Sequence, residues 1–260
     1  MNHMDLTTIL SENKAYWTGR AEGYSKVNQE ELSTDQHRKW KECIRERISA
    51  QFPGKAPSRI RVLEVGTGPG FFAILLSEMG YDVTAIDLTP AMLAEAKKNA
   101  GEAAKHICFL EMNAEELAFA DNAFDVVISR NLTWNLPHPK KAYAEWSRVL
   151  KKGGLLLNFD ANWYSYLFDE GAQAAYEADR MHSADLGIDD QNVGENFDVM
   201  EGIARRIPLS GIRRPAWDLN VLAGLGMTPR GEEQIWQQVW SENEKVNFSS
   251  TPMFLVHAAK

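Results

Sequence analysis

The chain has 260 residues, of which 44% are hydrophobic and 25% are charged, and its formal net charge is -8 at pH 7. This composition is typical of a globular protein with one large α/β domain, or with a core domain that carries an insertion. An acidic chain is poorly suited to neutralising phosphates, so no nucleic-acid partner is expected. No apolar run approaches the roughly 18 residues of a membrane span, and the polar N-terminus is unlike a signal peptide. We therefore expect a cytoplasmic protein with no membrane partner.

The first 58 residues have helical patterns. Residues 34–51 are predicted to form one helix, with Trp40, Ile44 and Ile48 on a single apolar stripe. A Pro-Gly pair follows and is predicted to end it.

From residue 60 the pattern alternates between strands and helices. The predicted strands are 60–65, 83–86, 107–112, 124–129 and 155–159, and the predicted helices are 71–79, one that begins at Pro90, and 139–150. Such alternation predicts a parallel sheet with helices on both faces. Cys108 lies in an apolar run and is predicted to be a small core residue.

Residues 161–214 break this alternation and are predicted to be an insertion. A helix at 215–225 and an antiparallel strand pair at 233–241 and 253–259 are predicted to complete the core.

A glycine-rich loop, residues 66–70, joins the first predicted strand to the helix that follows it. Glycines there let the backbone turn sharply and approach a ligand closely. Dinucleotide sites share this feature, but Phe71 stands where their fingerprint has a third Gly or Ala. Glu64 precedes the loop, and Asp87 ends the second strand, where an acid accepts hydrogen bonds from ribose hydroxyls. Structural alternatives are a tight turn for the loop and a helix cap for Asp87.

These residues resemble the class I S-adenosylmethionine-dependent methyltransferases, in the small-molecule branch of the ubiquinone and menaquinone biosynthesis methyltransferases. Three further segments carry the resemblance, which covers about residues 60–160: 112–119, 124–130 and 151–154. It implies a Rossmann-like α/β fold with a seven-stranded, mostly parallel sheet in the order 3-2-1-4-5-7-6. The last strand would be antiparallel, and a helical cap would cover the site.

The resemblance also implies S-adenosylmethionine as the cofactor, with S-adenosylhomocysteine as the product. Asp87 would bind both ribose hydroxyls, and Leu88 and Met92 would line the adenine. Asn113 replaces the usual Asp and is expected to accept a hydrogen bond from the adenine amino group. The full set expected to bind the cofactor is Tyr16, Trp17, Tyr24, Glu64, Gly66, Thr67, Gly68, Gly70, Asp87, Leu88, Met92, Asn113, Ala114, Glu115, Arg130 and Asn131.

The methyl acceptor is expected above the C-terminal ends of strands four and five. The segment there contains no N-P-P-Y-type motif, which favours a small molecule as the acceptor. Asp160 is the best candidate to orient or deprotonate the acceptor, and a helix cap is an equally good interpretation of it. The other residues expected to contact the substrate are Trp134, Asn135, Asn162, Trp163, Tyr164 and His182. Asp179, His182 and Asp185 are spaced three apart, as on a solvated helix face, so no metal is expected.

Tyr16, Trp17 and Tyr24 resemble the segment that folds over the cofactor in this branch, although simple docking of a helix is an alternative. The predicted division is an N-terminal helical lid at 1–58, a cofactor-binding core at 59–160, a cap insertion at 161–214, and a C-terminal helix and hairpin at 215–260. The predicted function is in-line transfer of a methyl group to a small molecule, by a monomer or homodimer. The rival functions are an NAD-dependent oxidoreductase and a catalytically idle S-adenosylmethionine-binding regulatory protein.

Overall fold

The computed structural model describes residues 3–190 and 197–260, with the side chains of the first helix described from residue 8 onward. Residues 1–2 of the predicted lid and 191–196 of the predicted cap insertion lie outside the described residues. The strands are β1 (Arg61–Val65), β2 (Asp82–Asp87), β3 (Ile107–Glu111), β4 (Phe124–Arg130), β5 (Leu150–Asp160), β6 (Thr228–Glu232) and β7 (Phe254–Ala259). The α-helices are α1 (His3–Ser33), α2 (Asp35–Gln51), α3 (Phe71–Glu78), α4 (Pro90–Ala100), α5 (Pro139–Val149), α6 (Glu170–Asp185), α7 (Phe197–Ala204), α8 (Ala216–Gly224), α9 (Trp236–Val239) and α10 (Glu242–Asn247).

The seven strands form one sheet in the order β3-β2-β1-β4-β5-β7-β6. The first five strands are parallel, and β7 is antiparallel to both β5 and β6. The predicted order and the predicted antiparallel last strand are confirmed. The direction of strand addition reverses between β1 and β4, and such a switch point opens a crevice at the carboxyl ends of the strands.

Both faces of the sheet are covered, which explains the nearly continuous apolar runs of its central strands. Successive residues of β1 point to opposite faces: Val62 joins one core cluster and Leu63 joins the other. On the first face, Trp40 of α2 is fully buried, with its ring 5.0 Å from that of Phe72 and 5.1 Å from that of Phe159. The helix predicted over 34–51 is thus present as α2 and is anchored by its apolar stripe.

The prediction of a strand at 233–241 is wrong. The sixth strand is Thr228–Glu232, while residues 236–239 form the short helix α9. Pro229 and Gly231 weaken the strand pattern of β6, but an edge strand tolerates both because only one of its sides pairs with a neighbour. The apolar residues after it follow a helical spacing, since Ile235 and Val239 are both buried in the core.

The prediction that Cys108 is a core residue is also wrong, because its side chain is exposed. β3 is the outermost strand on its side of the sheet, so one of its faces has less cover than the faces of β1 or β4. Within the described part of the chain, no helix is long and apolar enough to cross a membrane.

Candidate active site

A cavity of about 330 Å³ lies at the carboxyl ends of the parallel strands, on the side where the strand order reverses. Its wall is built by the segments that follow β1 to β5, and one face of α1 runs across it. The predicted site residues that line the cavity are Tyr16, Trp17, Tyr24, Glu64, Gly66, Thr67, Gly68, Asp87, Leu88, Met92, Asn113, Ala114, Arg130, Asn131, Trp134, Asn135, Trp163 and Tyr164. Residues far apart in the sequence therefore meet at one crevice.

The glycine loop has a backbone that other residues would strain. Gly66 has φ +72, and a Cβ built on it would lie 2.7 Å from a methyl carbon of Leu132. The backbone N–H groups of Gly66 and Thr67 both donate to the carbonyl of Ile86, at 2.9 Å each. The loop is thus fixed to the end of β2, where Asp87 follows.

Asp87 lies beside this loop and is already partly engaged by the backbone. Its Oδ2 accepts from the N–H of Gly68 at 2.9 Å, and its Oδ1 accepts from the N–H of Thr89 at 2.8 Å. Burial raises the pKa of Asp87, while these backbone donors oppose the rise. Each carboxylate oxygen can accept two hydrogen bonds, so each retains capacity for a hydroxyl of a ligand.

Glu64 forms the floor of the cavity at the end of β1. Its Oε2 accepts from the Thr67 hydroxyl at 2.6 Å, and its side chain is almost completely buried. Burial raises the pKa of Glu64 to about 8, although Thr67 and the nearby Arg130 act in the opposite direction. The carboxyl group is therefore mostly protonated at neutral pH.

Apolar side chains and one amide line the wall beyond Asp87. Leu88 and Met92 supply the apolar surface, and Asn113 supplies the amide. The Oδ1 of Asn113 accepts from the N–H of Glu115 at 3.0 Å, so the expected adenine amino group would have to use the remaining lone pair of this oxygen.

Two residues predicted to bind the cofactor, Gly70 and Glu115, lie outside the cavity lining. Gly70 has φ +92, and a Cβ there would lie 3.0 Å from the Cβ of Ala96, so this glycine allows α3 and α4 to pack closely. Glu115 accepts from the N–H of His138 at 2.6 Å and so fixes the segment before α5.

A buried ion pair joins α1 to the end of β4. Arg130 donates to both carboxylate oxygens of Glu31, at 2.6 and 2.8 Å, and its guanidinium lies 4.5 Å from the ring centre of Phe71. Burial alone would lower the pKa of Arg130, but the Glu31 carboxylate raises it above its usual value. Glu31 was not predicted, because nothing in the sequence marks a partner 99 residues from Arg130.

Further hydrogen bonds connect α1 to the glycine loop. Ser25 and Gln29 of α1 contact the side chain of Asn99 in α4, at 3.0 and 2.8 Å. The Nδ2 of Asn99 also donates to the carbonyl of Pro69 at 3.0 Å. The position of α1 over the cavity is therefore coupled to the position of the loop.

Two aromatic side chains, Trp134 and Tyr164, form a further part of the cavity wall. The rings of Trp134 and Tyr164 lie 5.0 Å apart at an angle of 33°. The indole Nε1 of Trp134 donates to the carbonyl of Asn131, and the Nδ2 of Asn13 donates to the carbonyl of Asn135, at 2.9 Å each. The segment after β4 thus holds its aromatic residue in place and is pinned to α1.

Asp160 lies beneath this wall instead of facing the cavity, so the prediction that it is a catalytic residue is corrected. It is fully buried, and its Oδ2 accepts from the N–H of Trp134 at 2.9 Å and from Arg214 at 2.6 Å. Its Oδ1 accepts from the N–H of Ala161 at 2.9 Å. Burial raises the pKa of Asp160, and Arg214 opposes the rise. Asp160 supports the acceptor wall through the Trp134 backbone.

Arg214 is the centre of this buried network. It forms two hydrogen bonds to Asp218, at 2.6 and 2.9 Å, and Asp218 also accepts from the hydroxyl of Tyr143 at 2.6 Å. Asn162, predicted to contact substrate, lies outside the cavity lining and instead bonds the backbone N–H and carbonyl of Arg214, both at 3.1 Å.

His182 was also predicted to contact substrate, and this assignment is corrected because its side chain is exposed on α6 outside the cavity lining. Asp179 on the same helix accepts from the N–H of Ser250 at 2.7 Å. Within residues 3–190 and 197–260, no group of three or more His, Cys, Asp or Glu side chains is arranged to hold a metal ion.

The C-terminal part of the chain also lines the cavity, which was not predicted from the sequence. The residues concerned are Trp240, Glu244, Phe248 and Met253. Ser241 and Glu244 form a capping box at the start of α10, and this S-x-x-E spacing is the signal that could have predicted the helix. No sequence signal indicates that the helix reaches the cavity.

Comparison with known proteins agrees with this geometry. Residues 63–158 match a family described as a methyltransferase domain. The chain is 36% identical to a demethylmenaquinone methyltransferase of Renibacterium salmoninarum over 131 residues, which cover 50% of this chain and 51% of that protein. It is also 36% identical to a ubiquinone/menaquinone biosynthesis C-methyltransferase of Bartonella tribocorum over 159 residues, with 57% and 59% of the two chains covered. The chain thus spans little more than half the length of these curated relatives.

Solved structures extend the similarity in fold across most of the chain. A putative methyltransferase of Haloferax volcanii, solved with the Trm112 methyltransferase activator, has a TM-score of 0.58 and 16% identity, over 94% of this chain and 96% of that one. A phosphoethanolamine N-methyltransferase 2 of Haemonchus contortus, in complex with S-adenosylhomocysteine, has a TM-score of 0.54 and 17% identity, over 82% and 51% of the two chains. Residues 63–158 therefore match a methyltransferase domain, and the chain is similar over about half its length to the ubiquinone and menaquinone biosynthesis methyltransferases.

Proposed function

We propose that the protein transfers the methyl group of S-adenosylmethionine to a small-molecule acceptor held in the cavity. One observation carries the proposal. Asp87, at the end of β2, retains acceptor capacity on both carboxylate oxygens beside the Gly66–Gly68 loop, and an aromatic wall lines the same cavity. A ribose diol and a methyl acceptor could therefore be held in one enclosed space.

The residues present fit this cofactor by the chemistry of their side chains. The Asp87 carboxylate suits two vicinal hydroxyls, and Leu88 and Met92 offer an apolar surface to a purine. Gly66 and Gly68, both with positive φ, let the loop backbone approach a ligand without a side chain in between. Glu244 adds an acidic side chain to a site that would receive a cationic sulfonium, and Glu64 adds a mostly protonated carboxyl group that can form hydrogen bonds.

S-adenosylmethionine, when bound, supplies an electrophilic methyl group, so the main tasks of the protein are alignment and exclusion of water. Asp87 would orient the cofactor, and Trp134 and Tyr164 would align the acceptor. α1, fixed by the Glu31–Arg130 pair, would keep solvent from the crevice. We assign no general base, since the carboxyl group predicted for that role, Asp160, is occupied by Arg214 and the Trp134 backbone.

The two rival functions make different demands on this site. An NAD-dependent oxidoreductase is disfavoured because Phe71, a large buried side chain, stands where the dinucleotide fingerprint has Gly or Ala. A catalytically idle cofactor-binding protein would need no space beyond the cofactor, whereas this cavity extends from the loop to the aromatic wall.

Calorimetry with S-adenosylmethionine, S-adenosylhomocysteine and NADH distinguishes a methyltransferase from an oxidoreductase by which of these ligands binds. We expect binding of the first two ligands and none of NADH. Binding of NADH without S-adenosylmethionine would contradict the proposal. Formation of S-adenosylhomocysteine with a panel of small acceptors then distinguishes an active enzyme from an idle binder.

A further inference from the structure

Acidic residues line one part of the cavity. Among the described lining residues they are Glu31, Glu64, Asp87 and Glu244, and of these Glu64 is mostly protonated at neutral pH. Glu64 and Asp87 flank the glycine loop, and Glu31 and Glu244 both act electrostatically on Arg130, which Glu31 also bonds. The proposed cofactor end of the cavity is therefore the acidic end.

Two cations of α1 also line the cavity. Arg20 lies about three helical turns along α1 from Glu31 and Lys14 about five, and Lys14 is paired with Glu111 at the end of β3. Arg20 acts electrostatically on the hydroxyls of Tyr16 and Tyr164, and the Tyr164 ring packs beside that of Trp134. Arg20 thus lies at the acceptor wall.

Arg20 differs from the other two cations in the lining, because each of those has a carboxylate partner. Arg130 is paired with Glu31, and Lys14 with Glu111 at 2.7 Å. Arg20 forms no ion pair with the side chains described in residues 8–190 and 197–260, and it is partly shielded from solvent. A guanidinium in such a place presents two parallel N–H donors in one plane, and these can pair with the two oxygens of a carboxylate.

Two buried amide oxygens on the same wall also lack partners. The Oδ1 atoms of Asn13 and Asn135 accept no hydrogen bond from the described residues, although the two residues are only 5% and 7% exposed. The Nδ2 of Asn13 is engaged with the carbonyl of Asn135, which fixes the orientation of that amide. Neither oxygen has surface that a molecule in the cavity could contact, so these two residues support the wall without offering it a hydrogen-bond acceptor.

We propose that the methyl acceptor is a small aromatic carboxylic acid that carries a hydroxyl or amino group. This proposal rests on the proposed function and adds the substrate class. The carboxylate lies against Arg20, the ring packs against Trp134 and Tyr164, and the hydroxyl or amino group receives the methyl group. A carboxylate is favoured over a phosphate because one arginine matches its single charge and planar shape.

The reaction balances without another reactant. A lone pair on the acceptor oxygen or nitrogen forms the new bond to the methyl carbon while the carbon–sulfur bond breaks. The electron pair of that bond stays on sulfur, which yields S-adenosylhomocysteine, and the displaced proton leaves to solvent.

The test measures binding to the full-length protein saturated with S-adenosylhomocysteine, by ligand-observed NMR. The ligands are the positional isomers of hydroxybenzoate and aminobenzoate, each paired with its neutral carboxamide. We expect at least one acid to bind about tenfold more tightly than its carboxamide. In Arg20→Gln this preference falls to within about twofold, while Arg59→Gln, an exposed arginine before β1, retains it.

Three results overturn the proposal: no acid of the panel binds, the carboxamides bind as tightly as the acids, or Arg20→Gln keeps the preference for the acids. Titration with S-adenosylhomocysteine comes first and serves as the check on folding of each variant. If the wild-type protein fails to bind that nucleoside, the proposed function itself fails. If it binds the nucleoside and shows no preference for acids, only the substrate class is wrong.

Discussion

Replacement of Asp160 by alanine is predicted to destabilise the fold, because this carboxylate is a structural acceptor beneath the site. Three donors converge on it: the N–H of Trp134, the N–H of Ala161 and the guanidinium of Arg214, at 2.6 to 2.9 Å. Alanine would leave all three donors buried without this acceptor. Arg214 would keep Asp218 as its only carboxylate partner among the described residues.

The magnitude follows from these contacts. Breaking a buried ion pair by removing one partner costs about 3–5 kcal/mol. The lower half of this range is expected, since Asp218 still neutralises Arg214. Asp160→Asn keeps one accepting oxygen, but it loses the charge and turns its amide N–H group towards a donor of the network, so about 1–3 kcal/mol is expected for it.

The assay is urea unfolding followed by tryptophan fluorescence, with S-adenosylmethionine affinity measured at a concentration where each variant is folded. The expected result is a graded loss of stability, with the alanine variant less stable than the asparagine variant. Wild-type stability in both variants, combined with abolished turnover, would refute the structural role and restore Asp160 as a catalytic group.

Three other changes test separate parts of the site. Asp87→Asn should weaken S-adenosylmethionine binding in calorimetry by about 1.5–3 kcal/mol, whereas Asp82→Asn at the exposed start of β2 should leave it unchanged; equal affinities would remove Asp87 from the ribose site. Because burial raises the pKa of Glu64 from 4.5 to about 8, its contribution to stability is fully present below pH 4.5 and is lost as pH rises through 8. Glu64→Gln should therefore gain stability relative to wild type between pH 5 and pH 8, by a few kcal/mol in denaturant unfolding, and parallel pH profiles would contradict this. Gly70→Ala should cost about 2–3 kcal/mol in the same assay, since it combines positive φ with a 3.0 Å contact to a neighbouring helix. Gly80→Ala also has positive φ, but its nearest contact is an ordinary one at 3.9 Å to Pro57, so it should cost about 1 kcal/mol. Equal costs would show that packing contributes nothing.

The core of the fold could be predicted from the sequence because its signals are local. Apolar runs, the glycine loop and the acid that ends β2 each lie within a few residues of the element they define. The β6 edge strand gave no such signal, because Pro229 and Gly231 weaken its pattern and its pairing with β7 depends on residues about 27 positions away. Cys108 illustrates the same limit, since an apolar run does not reveal that β3 is an edge.

A site residue could be predicted where the sequence around it shows both its place in the fold and its chemical role. Gly66 and Asp87 are such residues. Asp160 was misassigned because a carboxylate at a strand end suggests catalysis until its partner is known, and Arg214 lies 54 residues away. Glu31 and Arg20 were missed because α1 has no motif at these positions. Their roles follow from how α1 crosses the cavity, which is a tertiary property.

The most direct test of the central claim is a crystal structure of the protein with S-adenosylhomocysteine. The account predicts the ribose hydroxyls within hydrogen-bond distance of both Asp87 oxygens, the adenine against Leu88 and Met92, and the sulfur towards the wall formed by Trp134 and Tyr164. Density for the nucleoside elsewhere on the protein, or a ribose that does not contact Asp87, would contradict it.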